Sequence, residues 1–296
     1  MNSWQRLIKQ DRAILADGAM GTMLFAAGLE FGDPPELWNE RYPERIRAVH
    51  RDYLAAGAQL ILTNTFGGNR FRLAFHNLQS RVVELNRAAV RLACAEVEAA
   101  GGQALVAGDI GPSGEILAPL GELAYEEAVA GFAEQATALV AAGVDLIWIE
   151  TMSALEEVQA AMEGVRRVSA DIPIITTMTF DTRGHTMMGV KPETAVKTLA
   201  GWGAAAVGGN CGNGPDEIIG VIEKMHAVAP HAILVAKSNV GLPVWLDGRA
   251  VYQAGPQVMA DYAAAVREAG ARIIGGCCGS TPAHLQAMAE RVMGNW

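Results

Sequence analysis

One short phrase recurs along this chain and restricts its fold more than any other feature: a helical segment closes on glycine, two residues intervene, and a brief apolar run follows. It appears as Gly57-Ala-Gln-Leu-Ile-Leu-Thr63, Gly143-Val-Asp-Leu-Ile-Trp-Ile149, Gly203-Ala-Ala-Ala-Val-Gly-Gly209 and Gly270-Ala-Arg-Ile-Ile-Gly-Gly276. Glycine suits the left-handed position that ends a helix, and an unbroken apolar run suits a parallel strand covered on both faces. The phrase is a βα repeat. Strands are predicted at about 13–16, 59–63, 104–108, 145–149, 173–178, 205–209, 232–236 and 272–276, each followed by a helical segment. Pro43, Pro192, Pro215, Pro256 and Pro282 each open an amphipathic stretch, as proline does at the first helical position. Ser153-Ala-Leu-Glu156 reads as a capping box. Eight regular units predict one α/β domain, residues 1–296, folded as a closed (βα)8 TIM barrel, an architecture that takes about 250 residues. An open doubly wound sheet is the alternative fold.

Charge and composition narrow the function classes. Lys plus Arg number 23 against 32 Asp plus Glu, for a net charge of -9, and no basic run stands out. Nucleic acid and anionic membranes are therefore poor partners. No apolar stretch is long enough for a signal peptide or a membrane span, so a cytoplasmic protein is expected. Four cysteines are too few for a disulfide framework in a chain of this size. Cys94, in the helical run Leu85 to Ala99, reads as a buried core residue. The histidines His50, His76, His185, His226, His231 and His284 read mostly as helix-surface or loop residues with no metal role, which argues against a hydrolase barrel built on His and Asp ligands.

In a barrel the chemistry sits at the carboxyl ends of the strands. There the sequence places Asp17-Gly-Ala-Met-Gly-Thr22, Thr63-Asn-Thr-Phe66, Asp109-Ile-Gly-Pro-Ser-Gly114, Glu150-Thr151, Asn210-Cys211, Lys237-Ser-Asn239 and Cys277-Cys278. Neighbouring residues of a regular strand face opposite ways, so the vicinal cysteines turn both sulfurs to one point only where the backbone leaves the strand. Gly275, Gly276 and Gly279 permit that departure. Cys211 ends the strand two places away, which brings three sulfurs within reach of one ion. All-sulfur ligation selects Zn2+ over magnesium, calcium or manganese. Three thiolates make zinc a poor generator of hydroxide but a good activator of a thiol entering the fourth position. The implied chemistry is transfer of an electrophilic carbon to a thiol.

These motifs resemble those of the zinc-dependent homocysteine S-methyltransferases, which include the homocysteine-binding barrel of cobalamin-dependent methionine synthase and betaine–homocysteine methyltransferase. The match also takes in Asn239-Val-Gly-Leu-Pro243 and Gly275-Gly-Cys-Cys-Gly-Ser-Thr-Pro282, and it spans nearly the whole chain in order. The resemblance implies zinc on Cys211, Cys277 and Cys278, and methyl transfer to homocysteine to give methionine by attack of a zinc-bound thiolate. It implies Asp17 and Glu150 as partners of the substrate ammonium, and backbone N–H groups near Gly18 and Thr22 for its carboxylate. Asn239 resembles the residue that occupies the metal when substrate is absent. The donor stays open: a methyl-corrinoid protein, S-methylmethionine, S-adenosylmethionine or a betaine-type compound. Extra aromatics that cage betaine in some members are replaced here by Asn64-Thr65-Phe66-Gly67 and Glu150-Thr151-Met152, although Trp38, Tyr42 and Phe66 can supply aromatic surface. The alternatives are another small thiol methylated with a separate methyl-corrinoid protein, and a non-catalytic zinc barrel that docks such a protein.

Overall fold

In a computed structural model describing residues 3–246 and 249–294, the repeat closes into a barrel. Its strands are β1 (Ile14–Leu15), β2 (Leu60–Leu62), β3 (Leu105–Ile110), β4 (Leu146–Met152), β5 (Ile174–Met178), β6 (Ala206–Cys211), β7 (Leu234–Ser238) and β8 (Ala271–Gly276). Every pairing is parallel, and the order runs β1, β8, β7, β6, β5, β4, β3, β2. A parallel bridge from Ala16 to Leu60 joins the two ends, with Asp17 N donating to Leu60 O at 2.9 Å and Gln59 N to Leu15 O at 2.8 Å. The ring is closed, which removes the open-sheet alternative.

The local signals translate directly. Gly57, Gly143, Gly203 and Gly270 all have positive φ at helix ends, and each of the five prolines occupies the first turn of its helix. The capping box at Ser153 is a correction: the helix Leu155–Val168 is preceded by Ala154, with no side-chain cap. A capping box forms instead at Thr281 and His284, where Pro282 fixes the helix start. Two elements lay outside the sequence reading. The helix Ser3–Ile8 closes the lower end of the barrel, and an antiparallel hairpin, Val244–Leu246 with Arg249–Val251, interrupts the passage from β7 to the helix Pro256–Glu268.

Strand parity sorts the core into two layers. Ile147 and Ile149 join the outer layer between strands and helices, while Leu146 and Trp148 point into the barrel. The inner cluster also holds Leu60, Leu105, Ala107 and Val235, and Trp4 and Leu7 of the first helix complete it from below. Two other expectations are corrected. Cys94 is only half-buried against the outer layer. His50 is fully buried, with neither ring nitrogen bonded, and burial lowers its pKa to about 4.

Candidate metal centre and substrate cavity

One rung above the apolar layers, the same parity turns polar side chains inward. Asp109 continues Leu105 and Ala107, Glu150 continues Leu146 and Trp148, and Lys237 continues Val235. Asp17 joins them from the end of β1. Lys237 Nζ lies 3.0 Å from Asp17 Oδ1 and 4.0 Å from Glu150 Oε2, over the face of Trp148 at 5.1 Å. Asp17 Oδ2 accepts the Leu62 N–H at 2.8 Å. Three carboxyl groups thus face one ammonium. Glu150 Oε2 and Asp109 Oδ1 are buried without a hydrogen-bond partner, a costly condition for such groups.

The protonation pattern follows from that crowding. Burial pushes the Glu150 carboxyl up to about 7, against the pull of Lys237. Burial, together with the Glu150 carboxylate, holds Asp109 well above the ordinary range. Asp17 is raised by burial even though Lys237 opposes the shift. For Lys237 burial disfavours the charge, but Asp17 and Glu150 outweigh it and the pKa rises.

The sulfur corner is built by strand ends that stop being strands. Cys211 ends β6 at φ +61°, a left-handed conformation rare for a residue with a side chain, and one that stores strain. The backbone leaves β8 after Gly276. Cys277 N donates to Ser238 O at 2.7 Å, and Ser280 closes the turn through N–H and hydroxyl bonds to Cys277 O at 3.0 and 2.7 Å. Only glycine fits at 276, because a Cβ there would stand 2.3 Å from Ser280 Oγ. Thr22 Oγ1 accepts the Gly279 N–H at 3.2 Å, tying the turn after β1 to the cysteine loop.

The three sulfurs lie within 4.8 Å of one another, with Cys211 and Cys277 Sγ 2.8 Å apart. Strands whose ends are roughly 10 Å apart in a regular sheet thus deliver convergent thiols. Asn210, the inward position before Cys211, aims its amide at them, 3.3 Å from Cys211 Sγ and 4.0 Å from Cys277 Sγ. It is held by Thr151, whose N–H donates to Asn210 Oδ1 at 2.9 Å and whose hydroxyl accepts from Nδ2 at 2.7 Å. Thr151 itself sits at φ +61° on an irregularity of β4. Hydrogen bonds from Cys211 and Cys277 hold the Cys278 thiol down at about 3, while Cys211 is driven well above its usual value by its sulfur neighbours. Alone, the cluster favours a single thiolate. A thiophilic dication is the partner that stabilises three, and the donor set fits zinc. Asn239 stands beside it: its amide nitrogen donates to Gly212 O at 2.6 Å, and its Oδ1 is buried with no partner.

A cavity of about 380 Å³ joins the two halves of the site. Asp17, Gly18, Thr22 and Glu150 line it together with Cys211, Cys277 and Cys278. Its outer end, at Glu36, Arg72 and His76, was not singled out from sequence. Glu36 is buried, accepts the Gly67 N–H at 2.7 Å, and is raised by burial. Of the three aromatics expected near the rim, Phe66 alone lines the cavity. Trp38 and Tyr42 hold the Arg45 guanidinium instead, at 5.0 and 4.7 Å. Lys237 and Asn210 were placed at the rim from sequence but given no role there. Both carried a readable signal, since each is the inward position that follows an apolar or glycine rung.

A closed (βα)8 barrel with a three-cysteine cluster at the carboxyl ends of its strands defines a class of barrels with an all-sulfur candidate metal site. The sequence model of the homocysteine S-methyltransferase family matches residues 14–292, and the chain belongs to that family. Methionine synthases of Mycobacterium tuberculosis and Mycobacterium leprae are 32% and 31% identical to it over 96% and 95% of its length. The chain spans about a quarter of the length of those relatives (25% and 24%). The metallated form of the homocysteine methyltransferase MmuM from Escherichia coli superposes with a TM-score of 0.81 at 29% identity, covering 98% of this chain and 100% of that one. Among the described residues, no helix is long and apolar enough to cross a membrane.

Proposed function

We propose that this chain is a homocysteine-binding barrel, over residues 1–296, that transfers a methyl group to the thiol of homocysteine and yields methionine. One observation carries the reading: a three-sulfur cluster and a set of under-neutralised carboxyl groups share one cavity. An amino acid with a side-chain thiol answers both needs, its sulfur at the cysteines and its ammonium at the acids.

Cys211, Cys277 and Cys278 would hold zinc, and Asn239 Oδ1 is the protein oxygen suited to the fourth place before substrate arrives. Zinc at this position lowers the pKa of an entering thiol while leaving its sulfur electron-rich. Glu150 Oε2 receives the ammonium and gains the hydrogen-bond partner it lacks. Asp17 completes that contact and is held in place by Lys237 and the Leu62 N–H. Backbone N–H groups of the Gly18 to Thr22 turn meet the carboxylate. The thiol gives up its proton, its sulfur bonds to the methyl carbon, and the donor departs with the bonding pair. The donor, at the outer end of the cavity, is a methyl-corrinoid protein, S-methylmethionine, S-adenosylmethionine or a betaine-type compound. A cytoplasmic setting keeps the three thiols reduced.

The test is to supply zinc-loaded protein and homocysteine with each of these donors and to follow methionine by mass spectrometry. Methionine from at least one donor is expected. None from any of them, the corrinoid protein included, overturns the assignment.

A further inference from the structure

The three carboxyl groups around Lys237 are bonded unequally. Both oxygens of Asp17 hold a hydrogen-bond donor, Oδ1 the Lys237 ammonium at 3.0 Å and Oδ2 the Leu62 N–H at 2.8 Å. Glu150 Oε2 and Asp109 Oδ1 are buried and hold none, and both residues line the cavity. At Asp109 this bareness is confined to the side chain. Its N–H donates to Thr63 Oγ1 at 3.1 Å, and its carbonyl accepts from Thr65 Oγ1 at 2.7 Å and from Gln135 Nε2 at 3.3 Å. The main chain is thus fastened firmly at a residue whose carboxyl group is left unpaired. A buried carboxyl without a partner is costly, and none of the groups that hold the strand relieves it.

The two bare oxygens come from adjacent strands. Asp109 of β3 stands in register with Trp148 of β4, and Glu150 is the next inward residue of β4. Burial and then the Glu150 carboxylate raise the Asp109 pKa, the condition of a negative group short of positive charge. A primary ammonium brings one such charge and three N–H donors, and three carboxyl groups face the space it would enter. We propose that Asp109 is a ligand of the acceptor's ammonium, accepting one N–H at Oδ1 while Glu150 Oε2 and Asp17 accept the others. The class of acceptor follows. It carries a free primary amine beside the thiol, and N-acylated or amine-free thiols are rejected because they bring neither the charge nor the donors. The inference rests on the reading that homocysteine is the acceptor.

Homocysteine and γ-mercaptobutyrate separate the contributions, since the second keeps the thiol and the carboxylate and lacks only the amine. Binding of each to the zinc-loaded full chain is measured by titration calorimetry. The unsubstituted protein is expected to bind homocysteine the more tightly. Asp109→Asn removes the charge at nearly constant size. It should weaken homocysteine about 10–100-fold, the range for one charge-assisted contact, and leave γ-mercaptobutyrate binding and zinc stoichiometry as they were. Asp109→Ala supplies the same comparison if the amide variant does not fold. Equal losses for the two thiols overturn the proposal and leave Asp109 as a wall of the cavity. Homocysteine binding undiminished by the substitution also overturns it, since the ammonium is then held by Glu150 and Asp17 alone. An unsubstituted protein that binds neither thiol overturns the homocysteine reading itself, which separates the two failures.

Discussion

Within one strand the barrel interior passes from oil to charge in a single step. On β4 the inward residues are Leu146, Trp148 and Glu150. The first two are fully buried in the apolar cluster, whereas the third holds a carboxyl oxygen with no hydrogen-bond partner. β3 repeats the change from Ala107 to Asp109, and β7 from Val235 to Lys237. The inward parity carries through the step, and on β4 the backbone turns irregular just beyond it, at Thr151. The lower rungs stabilise the fold through packing, and the upper rung carries the cost of buried polar groups, a cost the proposed function assigns to ligand binding.

If that division is right, substitutions on either side should separate stability from function. Cys211→Ser strikes the mouth hardest. It should reduce bound zinc and methionine formation to background while circular dichroism retains the barrel, and an unfolded variant would show that the corner is part of the scaffold. Leu146→Ala strikes the lower layer. It should cost about 2–5 kcal/mol of stability in denaturant titrations with zinc stoichiometry unchanged.

His50 tests whether an orphaned polar group outside the cavity behaves differently from those within it. Its folded pKa of about 4 lies below the ordinary 6.5, so its contribution is present above the unfolded value and is lost as pH falls from 6.5 towards 4. The full span corresponds to about 3 kcal/mol. His50→Leu should flatten stability against pH in that window and leave the KM for homocysteine unaltered. Glu150→Gln should do the reverse. The loss of one charge-assisted contact is about 1.5–3 kcal/mol, or about 10–100-fold in KM, with thermal stability held or raised. A matching loss of stability would place Glu150 with the scaffold.

Much of this was legible beforehand, for identifiable reasons. Proline and glycine act locally, so the helix starts at Pro43, Pro192, Pro215, Pro256 and Pro282 and the turns at Gly57, Gly143, Gly203 and Gly270 could be read without tertiary knowledge. The cysteine corner was legible because a vicinal pair among glycines has few other uses. Ser153 misled because a capping box needs a backbone angle as well as a spacing, and Ala154 occupies the cap position instead. The position of Lys237 was legible but its partnership was not. Its role exists only through Asp17, 220 positions away in sequence, and no local pattern encodes that encounter.

The helix Ser3–Ile8 has a consequence for traffic. With Trp4 and Leu7 sealing the floor of the barrel, the cavity that holds the cysteines opens past the exposed Arg72 and His76. Under the proposed function, a donor seated at that entrance would stand between the cysteines and solvent. The floor plan then predicts an order: acceptor in first, methylated product out last.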